Sequence, residues 1–320
     1  MLRFSAWCLL AMLGLASVLQ AQTFPSKPIR VIVPYAAGGT SDILARQIGP
    51  KLTEAWGQPI VVENKPGANG NVGAELVARS APDGYTVLLA DIGALCISPS
   101  VYPKLGFDPI KDFSPVVMVS YSPHVLAVHP SVPVNTVSEL IAYAKAKPGQ
   151  LNFAISGTGG APHLAGIEFA QRTGVQWTYI PYKGGSQAVA DVVAGQANVL
   201  FNGMLATYPA VQGGKLRALA VSAAKRVSSA PDIPTVAESL PGFETGSFQG
   251  VIAPLGTPRD IVQKMNLEFI KVLATAEMRE RLAKQGTEVR TDTPEAFGKF
   301  IRDEVAKWAK VVKEANVKFD

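Results

Sequence analysis

The chain is poor in the residues that metal sites and most covalent reactions require. It holds two cysteines and three histidines among 320 residues. Cys8 falls in an N-terminal apolar run, so the body of the chain has Cys96 alone, which cannot form an internal disulfide and reads as a small buried apolar residue. His124, His129 and His163 are not at metal-ligand spacing and stand in no Cys/His cluster, so no zinc site is expected. No Gly-x-Ser-x-Gly elbow occurs, and no lysine follows a glycine loop in the Walker pattern. Gly157-Thr158-Gly159 matches part of a dinucleotide fingerprint, but Pro162 stands where the third glycine belongs, so no cofactor is expected. Charge is scarce as well, at 17% of residues. The basic excess, 30 against 25, is scattered without a stripe or an aromatic ladder, which argues against nucleic acid.

What is present begins with an export signal. Arg3 precedes an uncharged apolar run over residues 7–19, and Ala21 ends it before Gln22. This is the pattern of a secretory signal peptide over residues 1–21, with cleavage nearer Ala16 as the alternative. The run is too short to span a bilayer comfortably, and no second run of spanning length follows, so a soluble periplasmic protein is expected. With 48% hydrophobic residues the remaining chain can bury a sizeable core, and its length suits two domains.

Apolar strand-like runs alternate with helical spacing throughout, which predicts α/β lobes with largely parallel sheets covered on both faces. The strand at residues 29–33 runs into the loop 34–42, which holds Tyr35, Ala37, Gly38, Gly39, Thr40, Ser41 and Asp42 and opens a helix. Glycines there let backbone N–H groups turn toward a ligand, Thr40 and Ser41 read as capping residues, and a helix N-terminus favours a small anion. Asp42 would repel an anion from inside such a site, so its expected part is to brace the loop. The strand at 151–155 leads into a twin loop, 156–163, holding Ser156, Thr158, Gly159 and His163. Two such loops, one opening each half, predict a cleft between lobes with a jaw from each side. Asp91 and Asn202 lie at further strand ends, where ligands sit in open α/β sheets, and Tyr182 lies in the loop following another strand. Asp91 reads either as a solvated carboxylate or as a partner for a ligand amine or hydroxyl. The chain crosses between lobes near Ser120 and near Gly246, which makes a hinge.

Several segments resemble one known family nearly end to end. They include the Gly38-Gly39 loop with Asp42, Glu63-Asn64-Lys65-Pro66-Gly67, Pro82-Asp83-Gly84-Tyr85, Tyr182-Lys183-Gly184-Gly185, and Pro231-Asp232-Ile233-Pro234-Thr235. The chain is similar in these to the solute-binding proteins of tripartite tricarboxylate transporters, the Bug receptors. The resemblance implies a two-lobed, type II periplasmic-binding-protein fold. It divides as lobe 1 over residues 22–122, lobe 2 over 123–246, and a return to lobe 1 over 247–320. It also implies a monomer that closes on a small organic acid or amino-acid-like ligand and delivers it to the transporter's membrane subunits. The carboxylate would be held by both glycine loops, from Tyr35 to Asp42 and from Ser156 to His163. The family commonly has Ser, Thr or Gly near position 91, so Asp91 is a departure that disfavours a plain dianion. A ligand-binding sensor, and an exported hydrolase using Ser156 and His163, are the readings that stand beside transport.

Overall fold

The computed structural model describes residues 24–314, so the signal peptide expected over residues 1–21 lies outside the described residues. The first lobe is built from β1 (Ile29–Val33), α1 (Thr40–Trp56), β2 (Ile60–Asn64), α2 (Asn71–Ala78) and β3 (Thr86–Asp91). A π-type turn (Gly93–Ile97) follows β3 directly. β4 (Phe113–Val128) then runs for 16 residues out of this lobe and into the next. There α3 (Val137–Ala146), β5 (Asn152–Ile155), α4 (Ala161–Thr173), β6 (Thr178–Pro181) and α5 (Gly185–Val193) follow. β7 (Val199–Gly203), α6 (Met204–Gln212) and β8 (Arg217–Val221) complete the second lobe. β9 (Gly246–Pro254) returns to the first lobe, where α7 (Arg259–Ala274), α8 (Ala276–Lys284), β10 (Glu288–Val289) and α9 (Pro294–Glu314) close the described chain.

The strand directions follow from this path. β1 is parallel to β2 and β3, and β5 is parallel to β6 and β7. The crossing strands are antiparallel: β9 pairs with both β3 and β4, and β4 pairs with β7 and β8. A chain that leaves a lobe on one strand and returns on its neighbour must run in opposite directions, so the largely parallel sheets expected from the sequence become antiparallel at the crossing. The exchange falls at Pro123. Residues 113–123 face β9, and residues 124–128 face β7. Proline lacks the N–H that an unbroken ladder would demand, and it stands here where the ladder changes partner.

Each sheet is buried on both faces, which explains the near-continuous apolar runs. Along β1 the side chains alternate. Val31 and Val33 pack with Leu44, Ile48 and Leu52 of α1 and with Met265 and Phe269 of α7, while Ile32 packs on the other face with Phe297, Ile301 and Trp308 of α9. In the second lobe Leu126 and Val128 face α3 and α4, and Val125 and Ala127 face α5 and α6. Stacked Phe201 and Phe243, 5.7 Å apart, pin the proline-rich stretch that precedes β9. Its short helical turn, Val236–Glu238, is closed by a capping box between Thr235 and Glu238. Cys96 is fully buried, and burial pushes its thiol well above the usual range, so it is an inert core residue. The two-residue β10, which pairs with Ser120 and Tyr121, is too short to leave a periodic signal and was not expected.

The returning strand β9 also packs closely against α9. Phe248 and Phe297 meet edge to face at 5.7 Å, and Gly250 lies directly beneath the Phe297 ring. A methyl group at position 250 would overlap that ring. Gly250→Ala should therefore cost about 1–3 kcal/mol of stability, measured as a lower urea midpoint. An unchanged midpoint would show that α9 yields without strain.

Candidate ligand-binding site

The two glycine loops adopt one conformation. Gly38 and Gly159 are left-handed, at φ +78° and +75°. The next glycines are extended: Gly39 at φ −78°, ψ 170° and Gly160 at φ −78°, ψ 168°. In each loop the second glycine donates to a carbonyl three residues back, Gly39 to Ala36 and Gly160 to Gly157. In each, the first glycine donates to a side chain four residues on. Gly38 N donates to Asp42 Oδ2 at 2.8 Å, and Gly159 N donates to His163 Nδ1 at 3.0 Å. Asp42 and His163 thus do the same work from equivalent positions. Thr40 and Ser41, read from sequence as capping residues, instead occupy the first turn of α1, because extended Gly39 takes the cap.

Neither α1 nor α4 has a side-chain cap, and neither do α5 and α6, which begin after Gly184 and Gly203. The first N–H groups of a helix have no intrahelical partner and carry about half a positive charge together. All four helix starts reach one cavity of about 50 Å³ between the lobes, through Thr40 and Ser41, through Gly160 and Ala161, through Gly185, and through Gly203. Its floor is supplied by the crossing strands: Ser122 and His124 from β4, Ser247 and Gln249 from β9. A second space of about 150 Å³ continues outward past Tyr35, Asn69 and Ser156 to Thr158, Tyr182 and Lys183. The lobes touch at the rim. Ser186 Oγ donates to Ala37 O at 2.6 Å, and Tyr102 OH donates to Thr158 O at 2.8 Å.

Among the described residues no lysine or arginine lines the inner cavity, and Asp91 is its one carboxylate. Tyr35 OH donates to Asp91 Oδ1 at 2.5 Å, and Gly93 N donates to the same atom at 2.9 Å. Burial nevertheless pushes the Asp91 carboxyl above the usual range, against the pull of those donors. His124 is 1% exposed, and burial lowers its pKa to about 4, so the ring is neutral. Asp42 faces away from the cavity. Burial would raise its carboxyl, but hydrogen bonds from Arg46, Gly38 and Asn64 outweigh that and hold it below the usual range.

Of the residues singled out in the sequence, Tyr35, Gly39, Thr40, Ser41, Asp91, Ser156 and Asn202 line the inner cavity. Thr158 and Tyr182 line the outer space. The Tyr182 hydroxyl is pushed up to about 12 by burial and by the neighbouring Asp191 carboxylate. Ala37, Gly38, Asp42, Gly159 and His163 line neither space; they shape the loops behind it. Because His163 Nδ1 accepts from Gly159, the proton of the neutral ring sits on Nε2, so the ring cannot take a proton from Ser156. Asn69, Ser122, His124, Ser247 and Gln249 were not anticipated. Their signal was period-two polarity inside apolar strands, Ser120-x-Ser122-x-His124 and Ser247-x-Gln249. Asn69, at φ +54°, sits in the turn Ala68–Gly70, a left-handed position that asparagine tolerates. A roomier groove of about 850 Å³ lies between α4 and α9, but four glutamates outnumber Arg290 and Lys307 along it, which suits a small anion poorly. Among the described residues no His, Cys, Asp or Glu group could hold a metal ion, and no helix is long and apolar enough to cross a membrane.

Comparison with known proteins shows the family and the fold. The sequence model of the tripartite tricarboxylate transporter family receptor matches residues 44–317. Protein BugT of Bordetella pertussis is 37% identical over 311 residues, covering 97% of this chain and 95% of its own. An R. palustris protein solved with adipate superposes with a TM-score of 0.90 at 35% identity, over 92% of this chain and 100% of its own. MatC from Rhodopseudomonas palustris, solved with bound malate, gives 0.86 at 33% identity, over 90% of this chain and 100% of its own.

The twin loops make two measurable claims. Gly159→Val places a β-branched residue where φ is +75°, so it should weaken ligand binding about tenfold or more in calorimetry while the circular dichroism spectrum stays native. Unchanged affinity would remove this loop from the site. His124 and His163 are both lowered by burial from 6.5 to about 4. Folding therefore favours the neutral rings. This stability is full above about pH 6.5 and is lost as pH falls through about 4, on the order of 3 kcal/mol for each ring. His163→Asn keeps an acceptor for Gly159 but cannot titrate, so its stability should fall less steeply between pH 6.5 and 4 than that of wild type; equal slopes would contradict the assignment.

Proposed function

The chain belongs to the tripartite tricarboxylate transporter receptor family, and on that premise we propose that it is an exported receptor for a small carboxylated metabolite. It would capture the ligand in the interlobe cavity as a monomer and deliver it to a tripartite tricarboxylate-type membrane transporter. The observation that supports this reading best is the meeting of four uncapped helix N-termini at a cavity without a basic side chain. Such a site neutralises an anion through backbone N–H groups and helix dipoles. The relatives solved with adipate and malate make a small organic acid the natural class of ligand. The leader over residues 1–21 fits delivery to the periplasm, where such a receptor meets its ligand before the membrane. The crossing strands form the cavity floor, so a ligand gripped by both jaws would hold the lobes closed.

A thermal-shift screen over small mono- and dicarboxylates, hydroxy acids and amino acids tests the reading. At a ligand concentration near 100 times its Kd, stabilisation is about 2.7 kcal/mol, which raises the melting temperature by several degrees. Cells deleted for the gene should also lose uptake of the same compound. A panel without any shift would contradict carboxylate capture, and binding with normal uptake would contradict delivery.

A further inference from the structure

We infer that the cavity is polarised, with a carboxylate subsite at the His124 end and an acceptor subsite at Asp91, so that the protein selects a small acid bearing an ammonium or hydroxyl group over a dicarboxylate. The inference rests on the receptor reading above and names the ligand class within it.

His124 carries the first half. Its backbone N–H donates to Ser222 Oγ at 2.8 Å, and its Nδ1 pairs with Thr245 Oγ1 at 3.1 Å. Its Nε2 is buried without a partner, on a side chain that lines the cavity. A buried ring nitrogen left unsatisfied is costly, and a ligand atom in the cavity would complete it. Three helices open at the same end. Gly203, opposite His124 in the ladder and just before α6, lies against Thr40 Oγ1 of α1, and Gly185 of α5 lies against the Asn202 amide. A carboxylate placed there meets their free N–H groups and the His124 ring, with no basic side chain needed.

The opposite end has the reverse character. Gly157 and Gly160 pack against Asn69 Oδ1, and Gly93 lies beside Asp91 Oδ1 and the Asn69 amide. Helix α4 also opens here, but Pro162 removes one of its first N–H groups, so this end offers fewer amides than the end where α1, α5 and α6 open. Tyr35 and Gly93 both donate to Asp91 Oδ1, and the Ala94 backbone also hydrogen-bonds the carboxylate, whose remaining lone pairs can accept from the ligand. A second ligand carboxylate beside Asp91 would bring two like charges together in a space lined by no lysine or arginine. An ammonium or hydroxyl there adds a donor to those that Asp91 already holds. Adipate carries a carboxylate at each end and no hydroxyl or ammonium, so this chain would differ in ligand from the relative solved with it.

Calorimetry on the purified chain with acids of three to six carbons tests the inference. The series holds chain length fixed and varies the far end among ammonium, hydroxyl, methyl and carboxylate. The ammonium or hydroxyl acid should bind at least about tenfold tighter than the dicarboxylate of equal length, and Asp91→Asn should erase that preference. His124→Phe should weaken every acid about tenfold, and His124→Gln less. In wild type the His124 Nε2 nitrogen-15 resonance should move when the tightest acid is added, a readout that needs no variant to fold. Dicarboxylates binding as well as the amino and hydroxy acids would overturn the inference while leaving the receptor reading intact. So would a His124 resonance that does not move on saturation. Failure of every acid to bind would overturn both.

Discussion

Everything distinctive about this site depends on helix N-termini that are left uncapped at a common point. A helix that begins at Thr40 or at Ala161 must find partners for its first N–H groups, and among the described residues no side chain caps either one. The loops are held in that unfinished state from behind. A left-handed glycine turns the chain, an extended glycine takes the cap, and Asp42 or His163 grips the turn by the first glycine's N–H. The grip is made on the side away from the cavity, so it fixes the amides without consuming them. A negatively charged Asp42 and a neutral His163 serve equally, because the turn requires an acceptor and not a charge.

The direction of the strands brings those helices together. Strands β1, β5, β6 and β7 each deliver a helix start to the cleft, because in each the chain leaves the sheet there. The crossing strands then place polar side chains beneath them. Ser122 and His124 of β4 and Ser247 and Gln249 of β9 are nearly inaccessible, yet they face the cavity rather than the cores. The same two strands carry the chain between lobes. A ligand lying on them and touching both jaws is therefore coupled to the relative position of the lobes by direct contact, with no longer pathway required.

The fold was legible because burial on both faces writes long apolar runs bounded by glycine and proline. The runs ending at Val33, Ile155 and Phe201 announced their strands, and the glycine loops after the first two announced their helices. The antiparallel crossing was less visible, since strand direction depends on where the chain returns. Within the site the backbone-determined part was legible and the side-chain floor was not. Gly38 and Gly159 advertise unusual backbone angles by residue type. Ser122, His124, Ser247 and Gln249 look like occasional polar residues in apolar strands, and only the folded ladder shows that they share a face. Asp91 was visible as a charge at a strand end, but its hydrogen bond with Tyr35, which is 56 residues away in sequence, was not.

In the proposed site, backbone amides at converging helix starts, rather than cationic side chains, hold the ligand carboxylate. Amide nitrogen–proton NMR correlation spectra, recorded while a bound acid is titrated in, test it most directly. The amides of Thr40, Ser41, Gly185 and Met204 should shift strongly and become protected from solvent exchange, while the Lys183 side chain stays unchanged. Saturable binding that leaves those amides in place and moves the Lys183 side chain instead would contradict it.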